Sequence, residues 1–244
     1  MEYTPSVRQN IIDYTLLLHP PIMITCIDQV LTPENLATIH QYLEAAEFVD
    51  GRQTAGMFAQ PVKHNQQLQG DRDTARSIKA MITEALGRNA LFQAIARPHT
   101  IRPALINRYG PGMSYGWHTD NALMGDPPTR ADMSLTLFLS EPHSYQGGEL
   151  LIDDGPGPQS FKLAAGSMVL YPSTFLHAVA EVTDGVRLAA VTWVQSLVRH
   201  PHQREILFDL DTVQRSLFEK YGKTLEFDLI HKTHRNLLRQ WVDL

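Results

Sequence analysis

A histidine and an aspartate lie one residue apart in SYGWHTDNAL (residues 114–123), at His118 and Asp120. Residues two apart on extended backbone point to the same side, so this pair can offer an imidazole nitrogen and a carboxylate oxygen to one metal ion. A second histidine would complete the facial triad that holds Fe(II) in non-haem oxygenases and leaves positions open for a cosubstrate and O₂. The pair alone is a weak signal, and the rest of the chain must supply the third ligand.

His177 is the best candidate for that third ligand. It follows an apolar stretch and a short polar loop, and the chain then meets the turn signal TDG. If the chain reverses there, Arg187 lies opposite about Val179 or Ala180, one or two rungs beyond His177. Arginine suits the far carboxylate of a small dicarboxylate that chelates the metal at its other end, because it forms a bidentate charge-assisted pair. Together, the H-x-D pair, a distal histidine and an arginine ten residues later are much more specific than any one part.

Two amphipathic helices are predicted ahead of this region, over residues 32–47 and 73–87. Thr32 suits the N-cap of the first helix, and a proline follows it at the first helical position. Asp73 can cap the second helix, and Gly87 is a suitable end. Apolar residues recur at three- and four-residue steps in both segments, which favours helices that bury one face.

From about residue 100 the pattern changes to short apolar and β-branched segments separated by Gly, Pro and Asp turns. These segments are IRPALINRY, DMSLTLFL, ELLID, QSFKL, SMVLY and RLAAVTWV. Many short strands at such spacing are typical of an antiparallel sandwich or jelly roll. The last 40 or so residues return to a helical period. The sequence therefore predicts a mainly β core with helices on both sides of it in the chain.

Several neighbouring positions have structural interpretations rather than chemical ones. Gly147 and Gly148 in YQGGEL mark a turn into a strand. Tyr115 is expected to pack, as strand tyrosines usually do. Asn65 is interpreted as part of a solvated loop, the alternative being that it reaches the substrate side, and Trp193 is given no catalytic role.

The chain also carries a set of longer motifs. They are VLTPENLATI, FVDGRQTAG, NRYGPGMSYGWHTDNAL, DMSLTLFLSEP, YQGGEL, LAAGSMVLYPSTFLHAV and QSLVRHPHQREILFDLD. Over roughly residues 23–244 the sequence resembles the bacterial PKHD-type hydroxylases, relatives of prolyl and lysyl hydroxylases in the Fe(II)/2-oxoglutarate dioxygenase superfamily. Taken together, these motifs are highly specific.

The resemblance implies a double-stranded β-helix (jelly-roll) core with Fe(II) bound by His118, Asp120 and His177. It also implies 2-oxoglutarate held by Arg187, with Tyr109 hydrogen-bonded to the far carboxylate, and L-ascorbate (vitamin C) as the agent that keeps the iron ferrous. The implied reaction uses O₂ and 2-oxoglutarate to hydroxylate an unidentified small-molecule or peptidyl substrate, with release of succinate and CO₂.

Three regions are expected along the chain. Residues 1–22 form an N-terminal extension, and residues 23–198 form the dioxygenase domain with the two predicted helices and the β core. Residues 199–244 form a C-terminal helical segment.

Bulk composition excludes several function classes. The net charge of −5 argues against a nucleic-acid partner, because neutralising phosphates needs a basic face. No apolar run approaches the roughly 18 residues of a membrane span, and the start lacks the features of a signal peptide. The single cysteine, Cys26, cannot form an internal disulfide, which favours a reducing cytoplasm. The oligomeric state does not follow from the sequence.

Two other functions remain open at this point. A cupin-like metal enzyme, such as an isomerase or a dioxygenase without 2-oxoglutarate, would sit on a similar barrel, but it would more naturally use an H-x-H pair with a glutamate and would not need Arg187. A non-catalytic sensor of iron or 2-oxoglutarate would need the same residues as the enzyme. Turnover stimulated by a substrate would exclude the sensor.

Overall fold

The computed structural model describes residues 24–69 and 73–244, and the extension predicted at 1–22 lies outside them. Antiparallel strands form two main sheets. The larger sheet has the strand order β1 (Thr25–Ile27), β14 (Met168–Pro172), β10 (Met133–Phe138), β16 (Arg187–Ser196), β6 (Leu105–Tyr109), β4 (Gln66–Leu68) and β2 (Phe48–Asp50), with β5 (Pro98–Ile101) also paired to β16. The smaller sheet has the order β13 (Pro158–Phe161), β12 (Leu150–Asp153), β15 (Leu176–Gly185), β7 (Met113–His118) and β3 (Lys63–His64), with β11 (Tyr145–Gly147) also paired to β15. A separate ribbon joins β8 (Leu123–Met124) to β9 (Thr129–Arg130), and short 3₁₀ turns lie at Gly51–Thr54, Gln60–Val62 and Pro142–Ser144.

The two sheets face each other. Phe138, Val169 and Tyr171 from the larger sheet form one buried cluster with Leu150 and Ile152 from the smaller sheet. Side chains from two inner faces that interdigitate in this way define a β-sandwich. The antiparallel β core predicted from the spacing of the strand segments is therefore confirmed.

Three helices precede most of the core, α1 (Pro33–Glu44), α2 (Asp73–Arg88) and α3 (Ala90–Ala96). Thr32 caps α1 in a reciprocal capping box, because its hydroxyl accepts from the Asn35 N–H at 3.2 Å while the Asn35 side chain accepts from the Thr32 N–H at 3.3 Å. The first helix ends three residues before the predicted 47, since the chain must extend to enter β2 at Phe48. The second helix ends one residue after the predicted 87, and α3 was not predicted.

Side chains alternate between the two faces of the larger sheet, as in any strand. On β10, Leu135 and Leu137 belong to the main core cluster that α1, α2 and α3 cover. Ser134 and Thr136 on the same strand line the space between the sheets instead. Arg187 on β16 lines the same space. The inward face of this sheet thus carries polar side chains beside the apolar cluster of Phe138, Val169 and Tyr171.

The C-terminal region forms two helices, α4 (Pro201–Tyr221) and α5 (Leu225–Trp241). Phe208 of α4 enters the main core cluster, and the Arg97 guanidinium donates to the Leu207 carbonyl at 3.0 Å. After α5 the Asp243 N–H donates to the Leu197 carbonyl at 2.8 Å. Within the described ranges, none of the helices combines the length and the apolar character that a membrane span requires.

The predicted chain reversal at TDG is wrong. Strand β15 continues through these residues to Gly185, where β11 pairs with it, and β16 then begins in the other sheet. The crossing requires glycine, because Gly185 has a φ of +74° and a Cβ there would lie 2.3 Å from the Ser144 carbonyl oxygen. Arg187 consequently pairs with Tyr109 on β6 and not with Val179 or Ala180.

Candidate active site

His118, Asp120 and His177 converge at one end of the smaller sheet. His118 is the last residue of β7, and it is paired in register with His177 near the start of β15. Asp120 lies two residues beyond the end of β7, and its Oδ2 is 3.7 Å from Nε2 of His177. One ligand atom from each of the three residues lies within 4.8 Å of the other two. This set of two imidazoles and one carboxylate is suited to a divalent transition metal.

Backbone carbonyls fix the orientation of both imidazole rings. Nδ1 of His118 is 2.8 Å from the Gly116 oxygen, and Nδ1 of His177 is 3.1 Å from the Phe175 oxygen. When Nδ1 donates its proton to a carbonyl, Nε2 of the neutral ring is left as a lone-pair ligand. The two rings are therefore held in the tautomer that binds a metal.

Asp120 is oriented by a serine pair. The Ser134 hydroxyl donates to Oδ2 of Asp120 at 2.6 Å and lies 2.7 Å from the Ser173 hydroxyl. Ser134 and Ser173 are buried, and the Asp120 side chain is only 10% exposed. A short charge-assisted hydrogen bond of this kind holds a carboxylate in one rotamer.

His118 is packed as a neutral ring. Its imidazole stacks on Tyr115, which was predicted only to pack, with ring centroids 3.6 Å apart. Burial, followed by the charge of the nearby His177, lowers the pKa of His118 to about 4. Only a neutral imidazole binds a metal, so this environment keeps the ligand available well below neutral pH.

This pKa predicts how the stability of the metal-free protein depends on pH. Below about pH 6.5 the His118 imidazole takes up a proton in the unfolded chain but stays neutral in the folded protein down to about pH 4. The unfolded state then binds more protons than the folded state. The free energy of unfolding therefore decreases as the pH is lowered from 6.5 to about 4, by roughly 1 to 3 kcal/mol. Urea unfolding at pH 6.5 and about pH 5 measures the change, and His118→Gln should reduce it. An equal pH dependence in wild type and variant would contradict the prediction.

Arg187 is a buried cation with unused hydrogen-bond donors. It is 1% exposed, and its guanidinium lies 5.2 Å from the Tyr109 ring and 5.5 Å from the Phe138 ring. Among the described residues, neither Nε nor Nη2 has a hydrogen-bond partner. Gly148 packs against the aliphatic part of the Arg187 side chain, since a Cβ at that glycine would lie 3.0 Å from Cδ of Arg187. A buried guanidinium with free donors is costly unless an anion binds to it, and a planar carboxylate matches its two nitrogens.

Tyr109 lies directly beside Arg187 in the register of β6 and β16. Its side chain is buried, and burial raises the pKa of its phenol above the ordinary value. Tyr109 is therefore a neutral hydroxyl at physiological pH and can donate to the same anion as Arg187.

All five predicted residues line one pocket of about 330 Å³ between the sheets. They are His118, Asp120, His177, Arg187 and Tyr109. A volume of this order lies at the low end of the range for small-molecule sites.

Sequence reasoning missed a buried polar chain in this pocket. The Lys63 ammonium donates to the Thr54 hydroxyl at 3.0 Å, Thr54 donates to Gln67 at 2.6 Å, and Gln67 donates to Asn107 at 2.8 Å. Asn65 also donates to Asn107, at 3.0 Å, and is 3% exposed, so its interpretation as a solvated loop residue is wrong. Side chains alternate between the two faces of β4 and β6, so the sequence could have placed Gln67 and Asn107 in the pocket only if the face that points inward had been known.

Comparison with known proteins identifies close relatives. The chain is 54% identical over 224 residues to a PKHD-type hydroxylase of Thermosynechococcus vestitus, covering 91% of this chain and 100% of that protein. It is 55% identical over 217 residues to one of a Picosynechococcus species, covering 89% of this chain and 98% of the other. Residues 104–195 match the family described as the 2OG-Fe(II) oxygenase superfamily, where 2OG stands for 2-oxoglutarate.

Solved structures share the fold at low sequence identity. A prolyl hydroxylase from Trichoplax adhaerens, in complex with a hypoxia-inducible-factor peptide fragment, aligns with a TM-score of 0.51 and 12% identity over 75% of this chain and 86% of that one. An oxidoreductase of the 2OG-Fe(II) oxygenase family from Burkholderia pseudomallei aligns with a TM-score of 0.50 and 19% identity over 74% and 86%. These likenesses confirm the predicted jelly-roll core.

Family membership rests on the closer relatives, whose whole length the chain matches at more than half identity. It confirms the predicted reaction class, an oxygenase that uses Fe(II), 2-oxoglutarate and O₂ to hydroxylate a substrate not yet identified. The chain belongs to the PKHD-type hydroxylases of the 2OG-Fe(II) oxygenase superfamily.

Proposed function

We propose that His118, Asp120 and His177 hold Fe(II), and that Arg187 and Tyr109 hold the far carboxylate of 2-oxoglutarate, in a pocket that also admits the substrate to be hydroxylated. The observation that carries this assignment is the coexistence of three convergent ligand atoms and a buried guanidinium with two unpaired nitrogens in one pocket. A cupin-like enzyme without 2-oxoglutarate would have no use for that guanidinium. The free donors of Arg187 therefore favour the dicarboxylate cosubstrate.

The bound metal supplies O₂ activation coupled to the decarboxylation of 2-oxoglutarate, which yields succinate, CO₂ and a hydroxylated product. The protein positions the metal ligands and the cosubstrate. Gly116 and Phe175 hold the two imidazoles through their carbonyls, and Ser134 holds Asp120. Arg187 neutralises the far end of the cosubstrate, where Tyr109 can add a hydrogen bond. Apolar residues of both sheets also line the pocket and limit the access of water, namely Leu105, Leu150, Val179 and Val191.

The first test is anaerobic absorption spectroscopy of the purified protein with Fe(II) and increasing 2-oxoglutarate. We expect a weak visible charge-transfer band that saturates with 2-oxoglutarate, because a 2-oxo acid would chelate Fe(II) held by His118, Asp120 and His177. Succinate, which lacks the keto group, is the control and should give no band. The absence of a band in folded, iron-loaded protein would contradict the 2-oxoglutarate assignment and favour the cupin-like function.

Ser134→Ala tests the group that orients Asp120. Loss of the 2.6 Å hydrogen bond frees the carboxylate rotamer, and we expect Fe(II) affinity to fall by about 10- to 100-fold. Equilibrium titration of the protein with Fe(II) under anaerobic conditions measures the change. Ser167→Ala is the matched control, since Ser167 is equally buried but does not line the pocket. Equal Fe(II) affinity in Ser134→Ala and wild type would show that Ser134 does not support the metal site.

Three finer assignments are part of the proposal. Ascorbate is proposed as the reductant that keeps the iron ferrous, on the strength of the family resemblance. A cytoplasmic location is proposed from the single cysteine. The division into residues 1–22, 23–198 and 199–244 stays a prediction.

A further inference from the structure

Lys63 is a second cation in the pocket, and the assignments above give it no role. It lies on β3, the edge strand of the smaller sheet, opposite Tyr115 of β7. Its side chain turns inward, because the residue is 6% exposed, its ammonium lies 5.1 Å from the Tyr115 ring, and it lines the same pocket as the triad. Tyr115 in turn stacks on His118. Lys63 thus lies one aromatic ring away from a proposed metal ligand.

The hydrogen bonding of Lys63 is incomplete. An ammonium has three donors, and the one hydrogen bond found for Lys63 among the described residues is to the neutral Thr54 hydroxyl at 3.0 Å. No carboxylate of the described ranges forms an ion pair with it, and the negative charges that act on it from a distance are Asp120 and Asp50. Thr54 cannot compensate a charge, since its hydroxyl is neutral, and its own proton has acceptors in Gln67 at 2.6 Å and the Gly51 carbonyl at 3.1 Å.

Burial lowers the pKa of Lys63 to about 8, against the opposing effect of Asp120 and Asp50. Lys63 is therefore still mostly protonated at neutral pH. Buried charges in proteins are normally paired or bound to a ligand, because an isolated one is costly to desolvate. Within the part of the chain that the structure describes, Lys63 has no such ion-pair partner.

The charges of the loaded pocket do not balance without a further anion. This step rests on the proposed function. A divalent metal bound by Asp120 retains one positive charge, and Arg187 supplies another. Dianionic 2-oxoglutarate cancels these two charges and leaves the Lys63 ammonium without a counter-charge. One negative charge on the remaining occupant, the substrate, would balance the charges of these groups.

We propose that the substrate to be hydroxylated carries a carboxylate, and that the Lys63 ammonium binds it. The ammonium has two donors beyond the one bonded to Thr54, and Lys63 lines the pocket. Ala55, Ala59 and Leu123 line the pocket as well, and they suit an apolar body attached to the acid. Lys63 is then a specificity-determining residue, which selects acids over the corresponding amides or alcohols.

The test uses nuclear magnetic resonance of the full chain labelled with ¹³C at Cε of lysine, loaded with Zn(II) as a diamagnetic stand-in and with 2-oxoglutarate. The probes are hexanoate and hexanamide, which match in size and differ in charge. Lys63→Met identifies the Lys63 signal by its loss. We expect hexanoate to shift the Lys63 signal saturably and to bind at least about tenfold more tightly than hexanamide, because only the carboxylate carries a negative charge and forms an ion pair with the ammonium.

Lys162 provides an internal control. It also lies over a tyrosine ring, at 4.2 Å from Tyr145, but it bonds to a carbonyl, lies 3.8 Å from Glu149 and does not line the pocket. Its signal should not respond to either probe. An unmoved Lys63 signal, an equal response to both probes or an equal response of Lys162 would overturn the proposal. Binding of 2-oxoglutarate is recorded in the same sample. If 2-oxoglutarate does not bind, the proposed function fails, and the charge balance that predicts an anionic substrate fails with it. If 2-oxoglutarate binds and the Lys63 signal does not respond to hexanoate, only the role of Lys63 is overturned.

Discussion

His177→Ala should abolish 2-oxoglutarate turnover, with a loss of at least about a thousandfold. The variant leaves His118 and Asp120 as the two remaining ligands, and two ligands do not hold Fe(II) in a fixed geometry with defined open positions. His177 is well suited to this test because its side chain is 7% exposed and its Nδ1 is already bound to the Phe175 carbonyl. The measurements are iron content after anaerobic loading and desalting, and succinate formation.

The matched control for this variant is His64→Ala. His64 lies on β3, and its Nδ1 is also 3.1 Å from a backbone carbonyl, that of Gly112, but it belongs neither to the triad nor to the pocket lining. This control should keep iron content and turnover within about twofold of wild type, as expected for an exposed position. Thermal unfolding of both variants separates loss of metal from loss of fold. Iron retention and turnover near the wild-type level in His177→Ala would disprove the proposed ligand set.

The candidate triad was predictable because metal binding restricts residue types and spacing. His118 and Asp120 lie two positions apart, and few histidines follow them in a strand-rich region. The structure brings these residues together with His177 even though the path of the chain between His177 and Arg187 was predicted wrongly. The identity of the ligands depends on side-chain chemistry, while the path depends on sheet pairing, and the two can be inferred independently.

The chain path was misjudged because turn-forming residues do not always make turns. Thr183, Asp184 and Gly185 read as a reversal, yet Asp184 and Gly185 pair with Gln146 and Tyr145 of β11. A strand pairing with residues about 40 positions earlier cannot be read from the local sequence. The positive φ of Gly185 and its close approach to the Ser144 carbonyl explain why glycine stands there.

Lys63 and its polar neighbours escaped sequence reasoning for a related reason. Lys63 lies 55 residues before His118 in a segment without strong periodicity, and lysine is almost always exposed. Its burial follows from the pairing of the two-residue strand β3 with β7. Such short edge strands carry too little pattern to assign an inward face from sequence.

Arg187→Met should raise the KM for 2-oxoglutarate by at least about a hundredfold, because it removes two charge-assisted hydrogen bonds of about 1.5 to 3 kcal/mol each. Methionine keeps much of the side-chain volume between Tyr109 and Phe138, so packing loss is limited. Arg187→Lys keeps the charge but loses the planar fork, and its KM should lie between those of wild type and Arg187→Met. Steady-state succinate formation over a range of 2-oxoglutarate concentrations measures these values.

A comparison of cosubstrates separates binding of the far carboxylate from a general structural role. Wild type should use 2-oxoglutarate far better than 2-oxopentanoate, which keeps the metal-chelating end but lacks the far carboxylate. Arg187→Met should lose most of this preference, whereas Arg108→Met should keep it, because Arg108 is exposed and lies over the Phe48 ring on the other face of β6. A preference that survives in Arg187→Met would mean that another cation binds the far carboxylate. Lys63 is then the alternative cation within the same pocket. The carboxylate that it binds would be the far carboxylate of 2-oxoglutarate and not a carboxylate of the substrate.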